Sequence, residues 1–332
     1  MPTTTFTIDE VAIPQVVDAP NAAAFVRAIE LGNAVEAIGF GTPDLAFEPD
    51  EELPHWKNPQ QPMRLLVARV DDRIVGRGIY ETQVGEQSDS GWLVTQVLPE
   101  FRGHGIGTAL ADAVESMARA DGKAKALVYT GLQDAAGSRI PSPTGFGSIP
   151  AEHPDVRFLL ARGYRFEQVE RLSRLPLPVR GLDDLVTAAA AASGPDYVVH
   201  TYVGATPERW LDDLALLATR MSTDAPSAGL EEPEDVWTAE RIVESDARSA
   251  QSPRTRLTAV VEHVPFGRLA GFTVLNAPRQ RHRSVAQWAT LVLREHRGHR
   301  LGMLLKVANL QHLARVAPGH PSVTTFNAEE NR

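Results

Sequence analysis

At 332 residues the chain is long for one hydrophobic core, since single cores stop growing at roughly 250–300 residues, and two domains are the starting expectation. A composition of 43% hydrophobic and 23% charged residues excludes a disordered or fibrous chain, and a net charge of -9 argues against broad attraction to nucleic acid or an anionic membrane. Cysteine is absent, which excludes disulfides, thiolate metal sites and a cysteine nucleophile. The opening MPTTTFTIDEVAIPQ lacks a signal-peptide pattern and no run approaches the ~18 apolar residues of a membrane span, so a cytoplasmic protein is expected.

In chain order, a strand at 64–70, a turn at Asp71-Asp72-Arg73 and a returning strand at 74–82 form a hairpin, and a third strand follows at 92–98. Ile106, Leu110, Ala113 and Met117 then recur at helical spacing, Gly122 marks the turn after the helix, and 126–130 reads as a short strand. The loop at 131–150 is rich in glycine, proline and serine, and is either a functional lid or a passive connection. A helix near 155–162 and strand-like runs at 164–169 and 171–175 complete this half. Pro176-Leu177-Pro178 and Gly181 punctuate the chain, and an alanine-rich helix at 183–192 runs to Gly194-Pro195. Segment 179–196 is therefore the expected linker between domains at 1–178 and 197–332.

The second half opens with a strand at 197–201, and Thr206-Pro207 reads as the N-cap and first position of a helix. Strands at 257–262 and 269–275 flank Pro265-Phe266-Gly267, and 284–293 is the third strand. A helix carrying Leu301, Leu304, Leu305 and Ala308 ends near Gly319, and 322–326 is a closing strand.

An internal repeat ties the halves together. Residues 94–110, VTQVLPEFRGHGIGTAL, align without a gap on 289–305, ATLVLREHRGHRLGMLL, matching Arg102-Gly103-His104 to Arg297-Gly298-His299 and Gly107 to Gly302. The matching context predicts two tandem α/β domains, each a mixed, mostly antiparallel sheet flanked by helices. A glycine-rich turn between strand and helix is suited to pyrophosphate, because the first N–H groups of a helix have no intrahelical partner and glycine permits close approach. Such turns are also common as plain structure. Neither copy has the lysine-serine ending of a P-loop or the full GxGxxG of a dinucleotide fold, which disfavours nucleotide hydrolysis and hydride transfer.

Arg102, Gly105 and Gly107 satisfy the Q/R-x-x-G-x-G/A signature that follows the fourth strand in the GNAT superfamily of acyl-CoA-dependent N-acyltransferases. The chain as a whole resembles tandem double-GNAT proteins of the actinobacterial type. The resemblance implies transfer of an acetyl group from acetyl-CoA, as co-substrate and without a metal, to a primary amine of a small molecule or peptide. It places Val97 and Leu98 against the pantetheine, and Arg102, Gly103, His104, Gly105, Ile106, Gly107 and Thr108 around the pyrophosphate. Val292, Leu293, Arg297, Gly298, His299, Arg300, Leu301 and Gly302 are the corresponding set in the second copy. Arg300 departs from the signature, standing where its first glycine belongs; its Cβ crowds the phosphates or its cation contacts one. Asn327 and Asn331 lie in a stretch like the family's fifth strand and following helix, and are coenzyme candidates or turn residues.

The family's usual acid is a tyrosine in a segment like F-Y-x-x-x-G-F, but Leu159 fills that position here and Tyr164 reads as a packed aromatic. Glu81 and Asp89 are the candidate bases of the first copy, though carboxylates so placed are more often solvated loop charges; in the second copy a water chain, His282 or Glu262 would serve. His104 and His299 position the loop or touch phosphate. The missing tyrosine and Arg300 keep open a second reading, a non-enzymatic acyl-CoA sensor or scaffold. Only 327–332 follow the last strand, so the second domain is expected to lack its closing helix and strands, the chain to be truncated relative to its relatives, and 322–326 to present an open edge. Oligomerisation is not indicated by the sequence.

Overall fold

The computed structural model describes residues 5–84, 89–224, 228–229 and 234–331, and the chain divides into two compact units between Val169 and Glu170. The first unit begins with β1 (Thr7–Val11), α1 (Ala23–Phe40) and α2 (Pro49–Trp56), followed by β2 (Met63–Val70), β3 (Arg73–Thr82) and β4 (Ser90–Val97). After α3 (Ile106–Ala120) come β5 (Lys125–Leu127), a small hairpin of β6 (Arg139–Pro141) and β7 (Ser148–Pro150), and α4 (Pro154–Ala161). The main sheet has the order β1-β2-β3-β4-β5, antiparallel except for β4 with β5. Asp71 (φ 47°) and Asp72 (φ 64°) make a two-residue turn, both left-handed as the twist of a tight hairpin requires.

Strand alternation gives this sheet two apolar faces. Leu66, Val75, Tyr80, Leu93 and Val97 pack under Ile106, Leu110 and Val114 of α3, while Leu65, Val67 and Ile79 meet Phe25 and Ile29 of α1 and Leu53 and Trp56 of α2. Full burial of each such side chain is worth ~1.5–3 kcal/mol, so both helical layers are anchored by hydrophobic contact.

The second unit comprises β8 (Glu170–Pro176), α5 (Leu182–Ser193), β9 (Tyr197–Val203), α6 (Leu211–Asp224), α7 (Ala239–Ser249), β10 (Thr255–His263), β11 (Arg268–Ala277), β12 (Val285–Val292), α8 (Leu301–Val316) and β13 (Ser322–Ala328). Its sheet order is β8-β13-β12-β11-β10-β9. Strands β9 to β13 and their helices repeat the plan of β1 to β5. The helices after the repeated motif differ in surroundings: α3 buries one stripe, Ile106, Leu110, Ala111, Val114 and Ala118, whereas α8 buries residues on most of its circumference because α5 packs against it.

Six expectations from the sequence are corrected. Run 171–175, assigned to the first domain, lies within β8, which pairs antiparallel with all of β13 from Pro176↔Ser322 to Glu170↔Ala328. The edge expected to be open is therefore covered by a strand that precedes the second repeat, and the alanine-rich linker helix belongs to the second unit's packing. In the first unit, 126–130 shrinks to the three-residue edge strand β5, and 164–169 forms no strand. Thr206 caps no helix: its N–H donates to Asp246 Oδ2 at 2.7 Å, and a single 3-10 turn at Glu208–Trp210 leads into α6. Among the described residues no helix is long and apolar enough to cross a membrane.

Candidate functional site

Strands β4 and β5 run parallel and pair only at Ser90↔Lys125, Gly91↔Ala126 and Trp92↔Leu127, so beyond Trp92 no described strand lies along that edge of β4. The Leu98 N–H donates to the Val75 carbonyl at 2.9 Å and its carbonyl accepts from the Phe101 N–H at 2.9 Å. Leu98's main chain is thus committed to the fold. Because main-chain groups alternate sides along a strand, Thr95 and Val97 face the open edge instead. The Val97 carbonyl accepts Arg102 Nε at 3.1 Å, which ties the following loop to the strand end and leaves the Val97 N–H toward the gap.

A 3-10 turn at Pro99–Phe101 leads to Gly103 (φ 78°) and Gly105 (φ 83°), and α3 starts at once. Positive φ at Gly105 is a conformation an L side chain adopts only at a cost of roughly 1–2 kcal/mol, and nothing lies within 4 Å of where a Cβ would stand at Gly103 or Gly105. Side chains cap α2, α4 and α7, but none caps α3, whose first N–H groups, up to Thr108, have no intrahelical acceptor. His104 Nδ1 lies 3.3 Å from the Phe101 carbonyl, inside the loop. The open strand edge and the uncapped helix start follow one another along the chain and together offer a run of main-chain donors and acceptors.

The second unit repeats the arrangement with differences. Strands β12 and β13 pair only at Val285↔Val323 and Ala286↔Thr324 before parting, and a bulge in the register with β11 distorts β12 between Gln287 and Thr290. The Leu293 N–H donates to the Ala270 carbonyl at 3.0 Å, and Arg297 Nε to the Val292 carbonyl at 3.2 Å, as Leu98 and Arg102 do in the first unit. Arg297 also reaches Asp224 at 3.4 Å, a carboxylate shared with Arg294 at 3.1 Å. Arg300 holds the left-handed conformation of Gly105 (φ 55°), so the backbone cradle persists at the strain of a non-glycine residue, and α8 too lacks a side-chain cap. His299 packs 5.1 Å from the ring of Tyr197, whose hydroxyl meets His296 Nδ1 at 2.9 Å. Asn327 sits in β13 opposite Arg171, and the Asn331 N–H closes a turn on the Ala328 carbonyl at 2.9 Å.

The two candidate bases have opposite environments. Glu81, near the end of β3, stands in register between Met63 and Trp92; burial pushes its carboxyl above the usual range, with His55 of α2 opposing that shift and Glu52 adding to it. Asp89 is exposed at the far end of β4 from the loop, and hydrogen bonds from Ser90 (3.1 Å) and Lys125 (3.3 Å) hold it below the usual range. A carboxylate so stabilised is a poor proton acceptor. Tyr164 donates to Glu115 Oε1 of α3 at 3.2 Å, and burial together with Glu115 pushes its hydroxyl up to about 12, as suits a packed aromatic. In the second unit Glu262 is engaged by His200 at 2.9 Å, and His282 is exposed in the turn before β12.

Some residues near this open edge were not singled out in the sequence. Tyr129 stacks on Trp92, centroids 5.1 Å apart and 5° from parallel, where β4 and β5 part. On the α1 side of the same sheet, Arg77, Gln96 and Glu36 form a buried-to-exposed polar chain. Two signals could have exposed the chain: the arginine in the apolar run of β3 and Gly32 in the middle of α1. Among the described residues no group of three histidine or acidic side chains is placed to hold a metal ion.

Residues 34–137 match the model of the Acetyltransferase (GNAT) family. No curated protein is significantly similar in sequence. The fold is similar to that of a tandem GNAT protein from the clavulanic acid biosynthesis pathway, with a TM-score of 0.70 at 20% identity over 99% of this chain and 91% of that one. A GCN5-related N-acetyltransferase from Sphaerobacter thermophilus gives 0.56 at 17% identity over 98% and 88% of the two chains. A GCN5-related glucosamine N-acetyltransferase region in a fungal multi-domain GH3 β-N-acetylglucosaminidase gives 0.59 at 17% identity over 97% of this chain, which spans only 35% of that longer one.

Proposed function

We propose that the chain is a tandem protein of the GNAT superfamily and that its first lobe transfers an acetyl group from acetyl-CoA to a primary amine of a small molecule or peptide. The observation that carries the reading is the junction of β4 with α3. An open strand edge at Thr95 and Val97 runs into a helix start whose N–H donors no side chain has taken. Those donors, with the positive end of the helix dipole, fit the pyrophosphate, and the strand edge fits the amides of a pantetheine. Bound there, acetyl-CoA would supply the activated acyl group.

The chain's own residues would do the rest. Gly103 to Thr108 hold the phosphates, and Arg102 fixes the loop through the Val97 carbonyl, with its Nη1 3.9 Å from Asp155 Oδ1. Glu81, made more basic by burial, takes the proton that the acceptor's ammonium must lose before its nitrogen can attack. A second reading, an acyl-CoA sensor without turnover, is favoured by one observation: Tyr164 is bound to Glu115, so it does not replace the family's acid at Leu159.

Calorimetry with acetyl-CoA and a coenzyme-release assay over a panel of amines test both readings. In a background where Gly302→Val disables the second cradle, Gly105→Val with Gly107→Val should weaken acetyl-CoA binding by ~10- to 100-fold or more, since each charge-assisted bond lost is worth ~1.5–3 kcal/mol. Unchanged affinity would exclude the site; tight binding with no release for any amine would select the sensor.

A further inference from the structure

Arg77 leaves β3 on the side of α1, and its guanidinium is almost wholly buried. Nε donates to Gln96 Oε1 at 2.6 Å, Nη1 to the Ala28 carbonyl at 3.2 Å and Nη2 to Glu36 Oε1 at 3.4 Å. Gln96 Nε2 donates to the same Glu36 oxygen at 3.1 Å. Gly32, one helical turn before Glu36, provides the space, because a Cβ there would overlap the guanidinium. One oxygen of Glu36 thus receives two donors, while the other has no partner among the described residues. The side chain is 37% exposed.

That geometry leaves one carboxylate oxygen unused by the buried arginine. A guanidinium and a carboxylate frequently meet fork to fork, both oxygens engaged, and Arg64 with Glu10 in this same lobe does so at 2.8 Å for each bond. Glu36 instead presents one oxygen outward from a rigid mount. The mount stands at the open edge, since Gln96 belongs to the stretch of β4 that no described strand covers. The chain leaving β5 crosses to α1 nearby: Gln133 Nε2 donates to the Ile38 carbonyl at 2.7 Å, and Gly131 packs on Gly39 and Phe40. The Trp92–Tyr129 stack stands where β4 and β5 part, and Glu36 is held by Gln96 of the uncovered stretch of β4.

We propose that Glu36 is a specificity-determining residue that receives a second, non-reacting ammonium of the acceptor, so that the acceptors of the first lobe are diamines and polyamines. The assignment rests on reading this lobe as the acyl-transfer site. The reacting nitrogen must be neutral to attack, whereas a carboxylate fixed in place by a buried cation and an amide holds a charge that stays on its partner. Glu81 and Glu36 then divide the work: one takes a proton and the other reads a charge.

The test compares 1,4-diaminobutane with butylamine, using the full chain and acetyl-CoA. Wild type should favour the diamine by at least about tenfold in kcat/KM, the range set by one charge-assisted bond. Glu36→Gln, which can still accept from Arg77 and Gln96, should collapse that ratio, with the change falling on KM for the diamine, and Glu36→Asp should restore part of it. An unchanged ratio, or an equal loss for both amines together with a lowered Tm, would show that Glu36 only balances Arg77. If neither amine is acetylated, the enzyme reading fails by itself, and calorimetric titration with 1,4-diaminobutane still decides the question: weaker binding to Glu36→Gln upholds the role, and equal binding, or none to wild type, overturns it.

Discussion

Gly32 lies in the interior of α1, where alanine would ordinarily be the better residue. Glycine in a helix interior is less favourable than alanine by about 0.8–1 kcal/mol, so Gly32→Ala taken alone would stabilise α1 by that amount. The added Cβ overlaps the Arg77 guanidinium, however, and the side chain must move off its partners. It would lose its bonds to the Ala28 carbonyl and to Gln96, each worth about 1.5–3 kcal/mol as a bond to a charged group. The Glu36 pair is screened at its exposed end and is left out of the estimate. The net expectation is destabilisation of the first lobe by about 2–5 kcal/mol. Urea unfolding, followed by hydrogen exchange of amides in α1 and β3, reads this lobe separately. In an Arg77→Met background the same substitution should change sign and stabilise by up to about 1 kcal/mol, because the overlapping group has gone. Stabilisation by Gly32→Ala in the native background, or equal effects in both, would refute the reasoning.

Two further outcomes are expected. Burial raises the Glu81 carboxyl, so activity should fall as pH drops through that raised value and the base becomes protonated; Glu81→Gln should lower kcat by ~10²–10⁴ and flatten the acid limb. Asp89→Asn should preserve the limb, since Asp89 is held below its usual range and stays ionised, and a profile that loses its limb in Asp89→Asn would reverse the assignment. Hydrogen exchange should show Ser322–Ala328 better protected than Lys125–Leu127, because β13 has partners on both sides and β5 on one; faster exchange in β13 would contradict its pairing with β8.

The parts of the fold legible in the sequence are those fixed by local pattern. The hairpin of β2 and β3, the turn through Asp71 and Asp72, and the strand-turn-helix repeat around Arg102 and Arg297 all follow from periodicity and turn chemistry within a few residues. The alternation of 171–175 also marked a strand, but its neighbour depends on a pairing with β13 far along the chain, which periodicity does not encode. Local apolar character likewise overstated β5, whose length is set by how soon the chain turns toward α1. At the site, the glycines declared the cradle. Arg77, Gln96 and Glu36 come from β3, β4 and α1, carry no shared spacing, and meet only through packing. Glu81 and Asp89 looked alike as carboxylates near strand ends, and only burial against Lys125 pairing separates them.

The position of β8 in the chain imposes an order on biosynthesis. Pro176 emerges from the ribosome roughly 150 residues before its partner Ser322, a wait of ~7–30 s at ordinary elongation rates. Throughout that interval the first repeat is complete, yet the strand that follows it has no partner in the sheet it will join. The second sheet therefore cannot close until the last strand has been made, and its closure depends on a contact of large sequence separation, the slow kind in folding. A chaperone that shields an unpaired strand edge, or a pause in translation before 322, would act on this step and leave the first lobe's folding untouched. A gene fragment cut at 178, between the two repeats, would separate β8 from β13 and give a second half whose sheet cannot be finished by its own residues.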